Sequence, residues 1–238
     1  MPLDVNAFVR MRPYAYHLTA ETNLDVIKRG GWLHSAAVLF RKTGEKGLVC
    51  WPRGDNEDVL VDGNWIRIRD QKPLQRATPL LTGGWTMGAL VQAINTRVFF
   101  WPGTKERPID YGRRHFSAYA ATRSLLLRVS TKALMEANAD ATAEFCRYNS
   151  GAPCPFDAMH SPRGPDTFVQ APDFDGPPSK VAELVFPTAV RLPQSWEIGT
   201  LVATTAADGG NLEFTRLTSV PTRSTSDDLR GGTDDSTH

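Results

Sequence analysis

The sequence predicts an α+β domain. Short helical patterns fill its first half, strand patterns gather at its end (residues 181–186, 189–192, 198–203 and 212–217), and the two never alternate as a doubly wound sheet would require. With 238 residues, 41% hydrophobic and 22% charged, the chain has the length and apolar content for one sizeable core, and its composition excludes wholesale disorder, coiled coil and collagen. Residues 1–221 are expected to form that domain. Residues 222–238 hold one large apolar side chain, Leu229, which cannot offset the entropy of ordering the segment, so they are expected to be a disordered polar tail.

Taken in order, residues 14–18 form an apolar and aromatic run that suits a strand. Thr19 can then cap a helix with Glu21 in its first turn and Leu24 and Ile27 on one face. Gly30 and Gly31 end this helix, and the chain becomes extended at Trp32 and Leu33. Residues 41–64, rich in Gly, Asp, Asn and Lys, read as loops or a small hairpin, followed by an alternating strand at 65–69. Leu90, Val91 and Ile94 share a helical face, residues 98–101 are a buried-strand candidate stopped by Pro102 and Gly103, residues 110–122 read as helix and 125–129 as a central strand. Thr131 can cap a helix carrying Leu134 and Phe145. Residues 148–178 turn to Pro, Gly, Ser and Asp, with only 167–170 strand-like; so long an irregular stretch suggests a lid or binding loop.

Charge and cysteine content narrow the function classes. The net charge of +1 gives no bulk argument for nucleic-acid binding, but the tail carries four Asp and two Arg, which leaves the body at about +3. Within the body, residues 105–128 hold Lys105, Arg107, Arg113, Arg114, Arg123 and Arg128 against Glu106 and Asp110, with Phe116 and Tyr119 interleaved. Such a segment can track a nucleic-acid backbone, or simply be a solvated helix face. Three cysteines, Cys50, Cys146 and Cys154, are too few for a disulfide scaffold, and with neither a spanning helix nor an apolar leader the protein is expected to be cytoplasmic, without membrane contact. Cys146, Cys154 and His160 lack zinc-ligand spacing, so no metal is expected, and no GxGxxG, P-loop, GxSxG or HExxH motif occurs.

Three constellations carry chemistry. His17 alternates away from Tyr16 and Leu18, and Thr19 and Asn23 stand beside it at a strand-to-helix junction, where polar groups could grip an amide, a ribose or a phosphate; a buried, satisfied histidine beside an ordinary cap is the other reading. Arg67 and Arg69 share one face of a strand, where a guanidinium fork can take a phosphate or simply meet solvent. Glu183 interrupts the apolar run VAELVFP. Burying a lone carboxylate is costly, so it should face solvent on the outside of a half-exposed sheet, a partner, or an active site.

In order along the chain, these marks are His17-x-Thr19 with Asn23-Leu24, a helix ending in glycine, a later arginine, the aromatic run Val98 to Trp101, and Glu183 ahead of Phe186-Pro187. The set resembles the ADP-ribosyltransferase superfamily, most nearly the bacterial DarT-type enzymes that modify nucleic acid and related uncharacterised bacterial proteins, over residues 12–192. The block YHLTAETNLDVIKRGG is its most specific part.

The resemblance implies a split, bent β-sandwich with flanking helices that clamps NAD⁺ as co-substrate. His17 would bond the adenosine ribose, Thr19 and Asn23 would help fix the dinucleotide, and Arg69, or equally Arg67, would bind its phosphates or place the acceptor. Glu183 would be the catalytic glutamate, with Arg163, Gly164, Thr167 and Phe168 in the loop that recognises the acceptor. Cleavage of the nicotinamide glycosidic bond passes through an oxocarbenium-like state that a carboxylate stabilises. The implied activity is that of a mono-ADP-ribosyltransferase, a pentosyl-transferring glycosyltransferase, with DNA or RNA as acceptor. In a bacterium this would act as a toxin or phage-defence effector, with an antitoxin or immunity protein as partner. Transfer to protein or water, and a catalytically inactive member that binds nucleotide or a partner, are the alternatives.

Overall fold

In a computed structural model, the structure describes residues 1–76, 78–109, 112, 116, 124–153, 161–203 and 212–221. It is α+β, as the sequence predicts, with most strands in one antiparallel sheet. The strands are β1 (Tyr14–Ala20), β2 (Trp32–His34), β3 (Glu57–Val61), β4 (Asn64–Ile68), β5 (Arg97–Gly103), β6 (Ser124–Ser130), β7 (Glu144–Cys146), β8 (Val169–Gln170), β9 (Glu183–Pro187), β10 (Ala189–Arg191), β11 (Ser195–Ala203) and β12 (Leu212–Pro221). Eight of them form a sheet in the order β12-β11-β6-β1-β5-β9-β7-β8, while β2 pairs with β10 and β3 with β4. The helices are α1 (Val5–Met11), α2 (Leu24–Gly30), α3 (Ala36–Thr43), α4 (Lys72–Arg76), α5 (Met87–Asn95) and α6 (Thr131–Ala137).

The centre of the sheet forks. Strand β1 pairs with β5 only through Tyr14, Ala15 and Tyr16, opposite Gly103, Pro102 and Trp101. Beyond Tyr16, β1 stays with β6 as far as Ala20, whereas the first half of β5 pairs with β9 from Arg97 to Phe100. From His17 onward, β1 and β5 therefore separate, and a gap opens between them.

Both faces of the sheet are covered. On one side Ala15, Leu127, Val129, Phe100, Leu184, Phe186 and Trp196 pack with Phe8 of α1. On the other, Tyr16, Leu18, Trp101, Leu126 and Phe214 form a second cluster. Helix α3 packs on the β3–β4 hairpin through Phe40, Val59, Val61 and Ile68, and α5 packs on β9 through Leu90, Val91 and Val185. Burial on this scale supplies the stability of the fold at roughly 25 cal/mol per Å² of apolar surface.

Several boundaries differ from the sequence reading, each because a tertiary pairing outweighs a local signal. Thr19 caps no helix: β1 continues through Thr19 and Ala20, opposite Leu125 and Ser124 of β6, and a 3-10 turn, Glu21–Asn23, leads into α2. Ser130, not Thr131, caps α6, its side chain accepting from the Ala133 amide. Phe145 lies on strand β7 between Leu184 of β9 and Val169 of β8, not on a helix. Strand β5 runs through Pro102 and Gly103. Gly31 does end α2, in the left-handed conformation at φ 67° that glycine adopts without strain. The predicted helix at 110–122 and the tail at 222–238 lie outside the described residues, apart from Gly112 and Phe116.

Candidate functional site

A cavity of about 240 Å³ opens in the fork between β1 and β5, somewhat below the roughly 300–1,000 Å³ common for small-molecule sites. Its wall includes His17, Thr19, Asn23, Arg69 and Glu183. Residues scattered over 167 positions of sequence thus meet at one site.

His17 stands where the strands part. Its Nδ1 lies 2.8 Å from the carbonyl oxygen of Phe99, which can only accept, so Nδ1 carries the proton and Nε2 is left as an acceptor. Burial lowers the pKa to about 4, partly opposed by the Phe99 bond and reinforced by the charge of Arg69. The ring is neutral at pH 7 and can receive a ligand hydroxyl.

Glu183 begins β9, a strand buried on both faces, and is itself only 3% exposed. The exterior of a half-exposed sheet is therefore not its place. Its Oε2 accepts from the Ser150 amide at 3.1 Å. Burial pushes its pKa up to about 7, against the lowering influence of the Ser150 hydroxyl and amide and the Arg163 guanidinium. A carboxylate poised near neutrality suits proton transfer or stabilisation of positive charge.

The loop carrying Ser150 is held from beneath by Arg163. This fully buried guanidinium donates from Nε to Ser150 O at 3.3 Å, from Nη2 to Asn149 O at 3.1 Å and from Nη1 to Ser161 O, and lies over the Tyr148 ring. Thr167 and Phe168 are buried as well, and the Thr167 hydroxyl accepts from the Gly164 amide at 2.8 Å. Arg163 thus braces the Ser150 loop from within, and Arg163, Thr167 and Phe168 are buried where the sequence reading has them in a loop that recognises the acceptor.

The two arginines of β4 and its end differ. Arg67 is exposed and forms a two-pronged pair with Asp58, directly across the hairpin, at 2.8 and 2.6 Å. Arg69 is half-buried and its charge reaches His17. Its carbonyl receives Arg53 Nε at 3.0 Å, and Arg53 in turn donates to Asn95 Oδ1 at 2.9 Å, which also takes Gln71 Nε2 at 3.0 Å. This buried net fixes the backbone at Arg69. Asn23 serves a similar purpose: its amide is bound to the Arg67 backbone and, at 3.3 Å, to the Thr19 hydroxyl. Thr19 and Asn23 therefore tie the hairpin to β1, a positioning role that their sequence spacing does not reveal.

The lining carries four arginines, Arg53, Arg67, Arg69 and Arg97, against Asp70 and Glu183. Arg97 is committed to Glu144 at 2.6 and 3.1 Å and Arg67 to Asp58, which leaves Arg53 and Arg69 beside Asp70 and Glu183, a nearly balanced lining in which the charge of Arg69 reaches His17. Of the basic segment at 105–128, Arg113, Arg114, Arg123 and Tyr119 lie outside the described residues, and Arg128 is held by Glu197 at 2.5 Å between Tyr14 and Phe214. Among the described residues no cluster of three or more His, Cys, Asp or Glu could hold a metal ion, and no helix is long and apolar enough to cross a membrane.

A family model matches residues 13–195, more than three quarters of the chain. The chain belongs to DUF7002, a family of unknown function. The DUF7002 match opens one residue before β1, closes on the first residue of β11, and so contains every residue that lines the cavity. No curated protein and no solved structure matches the chain.

Proposed function

We propose that this protein is a mono-ADP-ribosyltransferase that cleaves NAD⁺ in the fork between β1 and β5 and passes ADP-ribose to a nucleic-acid acceptor. The observation that carries the reading is the convergence of His17, Arg69 and Glu183 on one cavity, with His17 neutral and Glu183 poised near neutrality as their parts require. The finer architecture in this reading is the split, bent sandwich of the ADP-ribosyltransferases, and the separation of β1 from β5 supports it.

Neutral His17 accepts a ribose hydroxyl at Nε2, and Arg69 draws the pyrophosphate. Glu183, once ionised, faces the positive charge that grows on the ribose as nicotinamide departs, in a buried setting where that attraction is little screened. It then takes the proton of the incoming nucleophile. NAD⁺ is co-substrate, no metal takes part, and a neutralising antitoxin or immunity protein is the partner this activity calls for.

The burial of Arg163, Thr167 and Phe168 favours a second reading, in which water is the acceptor and the protein is an NAD⁺ glycohydrolase. Incubation with labelled NAD⁺ plus single-stranded DNA, RNA, protein or buffer separates the two. Label on DNA or RNA supports transfer, nicotinamide release without labelled acceptor supports hydrolysis, and neither product contradicts both.

A further inference from the structure

We propose that Trp32 is the stacking platform for the adenine ring of the dinucleotide, at the end of the cavity remote from Glu183. This role rests on the NAD⁺ reading above and falls to a residue that the sequence marks only as part of an extended segment.

Strand β2 is short and alternates. Leu33 is buried in the core with Ile27 and Val190, so Trp32 and His34 stand on the opposite face of the strand, where Trp32 is 44% exposed. Trp32 and His34 both line the cavity. Among the described residues the indole has no hydrogen bond, ring contact or cation contact, and the more exposed Trp51 and Trp65 do not line the cavity. The fold thus leaves one large apolar ring half open at the cavity wall. Ligand cavities are characteristically lined by such rings, and an indole offers a planar base a face to stack on without demanding a particular hydrogen-bond pattern.

The position of β2 selects which base. The Ser35 amide, just after β2, donates to Thr188 O at 2.7 Å, and His34 lies opposite Ala189, so β2 is tied to the chain immediately beyond the last residue of β9. Glu183 is the first residue of β9. At the rise of a strand, residues 183 to 188 span roughly 16 Å. His17 stands between these ends, bonded to Phe99, which pairs with Val185. With the nicotinamide ribose at Glu183 and the adenosine ribose at His17, the ring that reaches β2 is adenine.

Calorimetric titration of wild type, Trp32→Ala, Trp32→Leu and Trp32→Phe with NAD⁺ and with ADP-ribose, which keeps the adenine and lacks the nicotinamide, tests the assignment. Both affinities should fall about five- to a hundredfold in Trp32→Ala, the range for losing a base-stacking ring. Trp32→Leu, apolar but without a π face, should lose nearly as much, and Trp32→Phe should recover most of the loss. The ligand-free melting temperatures should stay close to wild type, because the indole is half open to solvent; if Trp32→Ala folds poorly, the contrast between Trp32→Leu and Trp32→Phe decides. Unchanged affinities, a loss confined to NAD⁺, or equal affinities of the leucine and phenylalanine variants overturn the role of Trp32 and leave the NAD⁺ reading standing. Absence of NAD⁺ binding by wild type overturns the NAD⁺ reading and the role of Trp32 with it.

Discussion

Asn23 closes a two-bond ring on the backbone of Arg67: its Nδ2 donates to the Arg67 carbonyl at 2.9 Å and its Oδ1 accepts from the Arg67 amide at 2.8 Å. A side chain here acts as one rung of a ladder, and it joins the turn after β1 to the hairpin whose end carries Arg69. Replacement by Ala strands both backbone groups. Asn23→Ala should lower stability by about 1–3 kcal/mol in urea unfolding, and Asn23→Asp, which loses the donor and sets a carboxylate against a carbonyl, should lower it further. Unchanged midpoints would show that the hairpin is held by other means.

Arg67 and Arg69 should separate cleanly. The Arg67–Asp58 pair is exposed, so Arg67→Ala should cost at most about 1 kcal/mol of stability and leave NAD⁺ binding within about twofold. Arg69→Ala removes the cationic group beside His17 and should weaken NAD⁺ binding at least about tenfold, as loss of a charge-assisted phosphate contact does. Binding by calorimetry decides the matter, and the reverse order would move the phosphate site to Arg67.

Glu183 should trade stability for chemistry. Its pKa in the folded protein, about 7, lies above the ordinary 4.5, so the folded state holds a proton that the unfolded state has lost between those values. Its contribution to stability is complete below about pH 4.5 and disappears as pH rises through 7. Glu183→Gln should therefore be more stable than wild type at pH 8, on the order of 2–3 kcal/mol, with the difference vanishing near pH 4.5. Thermal unfolding across this range reads the effect, and a difference independent of pH would contradict a buried, titrating carboxylate.

His17 has the opposite dependence. Its folded pKa, about 4, lies below the ordinary 6.5, so its contribution is complete above pH 6.5 and is lost as pH falls toward 4. His17→Gln should flatten that acid-side loss in a pH series of melting temperatures. A slope unaltered between pH 6.5 and 4 would mean that the ring is protonated in the folded protein.

The legible parts of this protein are those where residue type clashes with its surroundings. Glu183 stands out as an acid in the apolar run VAELVFP, and His17 as a polar side chain in an apolar strand; both line the cavity. Gly30 and Gly31 mark the end of α2 because the left-handed φ at Gly31 is a local property. Ser150 and Arg163 carry no such mark. Their meaning depends on Cys146 lying opposite Glu183 across β7 and β9, a register between segments 37 residues apart that composition does not encode. Thr19 and Phe145 mislead for the same reason, since each has a plausible local role that a distant strand overrides. Asn23 lines the cavity and can be singled out from its place at the strand-to-helix junction, but its bond to the Arg67 backbone needs the hairpin in three dimensions.

The most direct test is the rate of nicotinamide release from NAD⁺ at pH 8 by wild type and Glu183→Gln, with single-stranded DNA or RNA supplied as acceptor. Wild type should release nicotinamide and the variant should be slower by on the order of 10²-fold or more while remaining folded. Equal rates, or no release by wild type under any acceptor condition, would contradict Glu183 as the group that acts on NAD⁺.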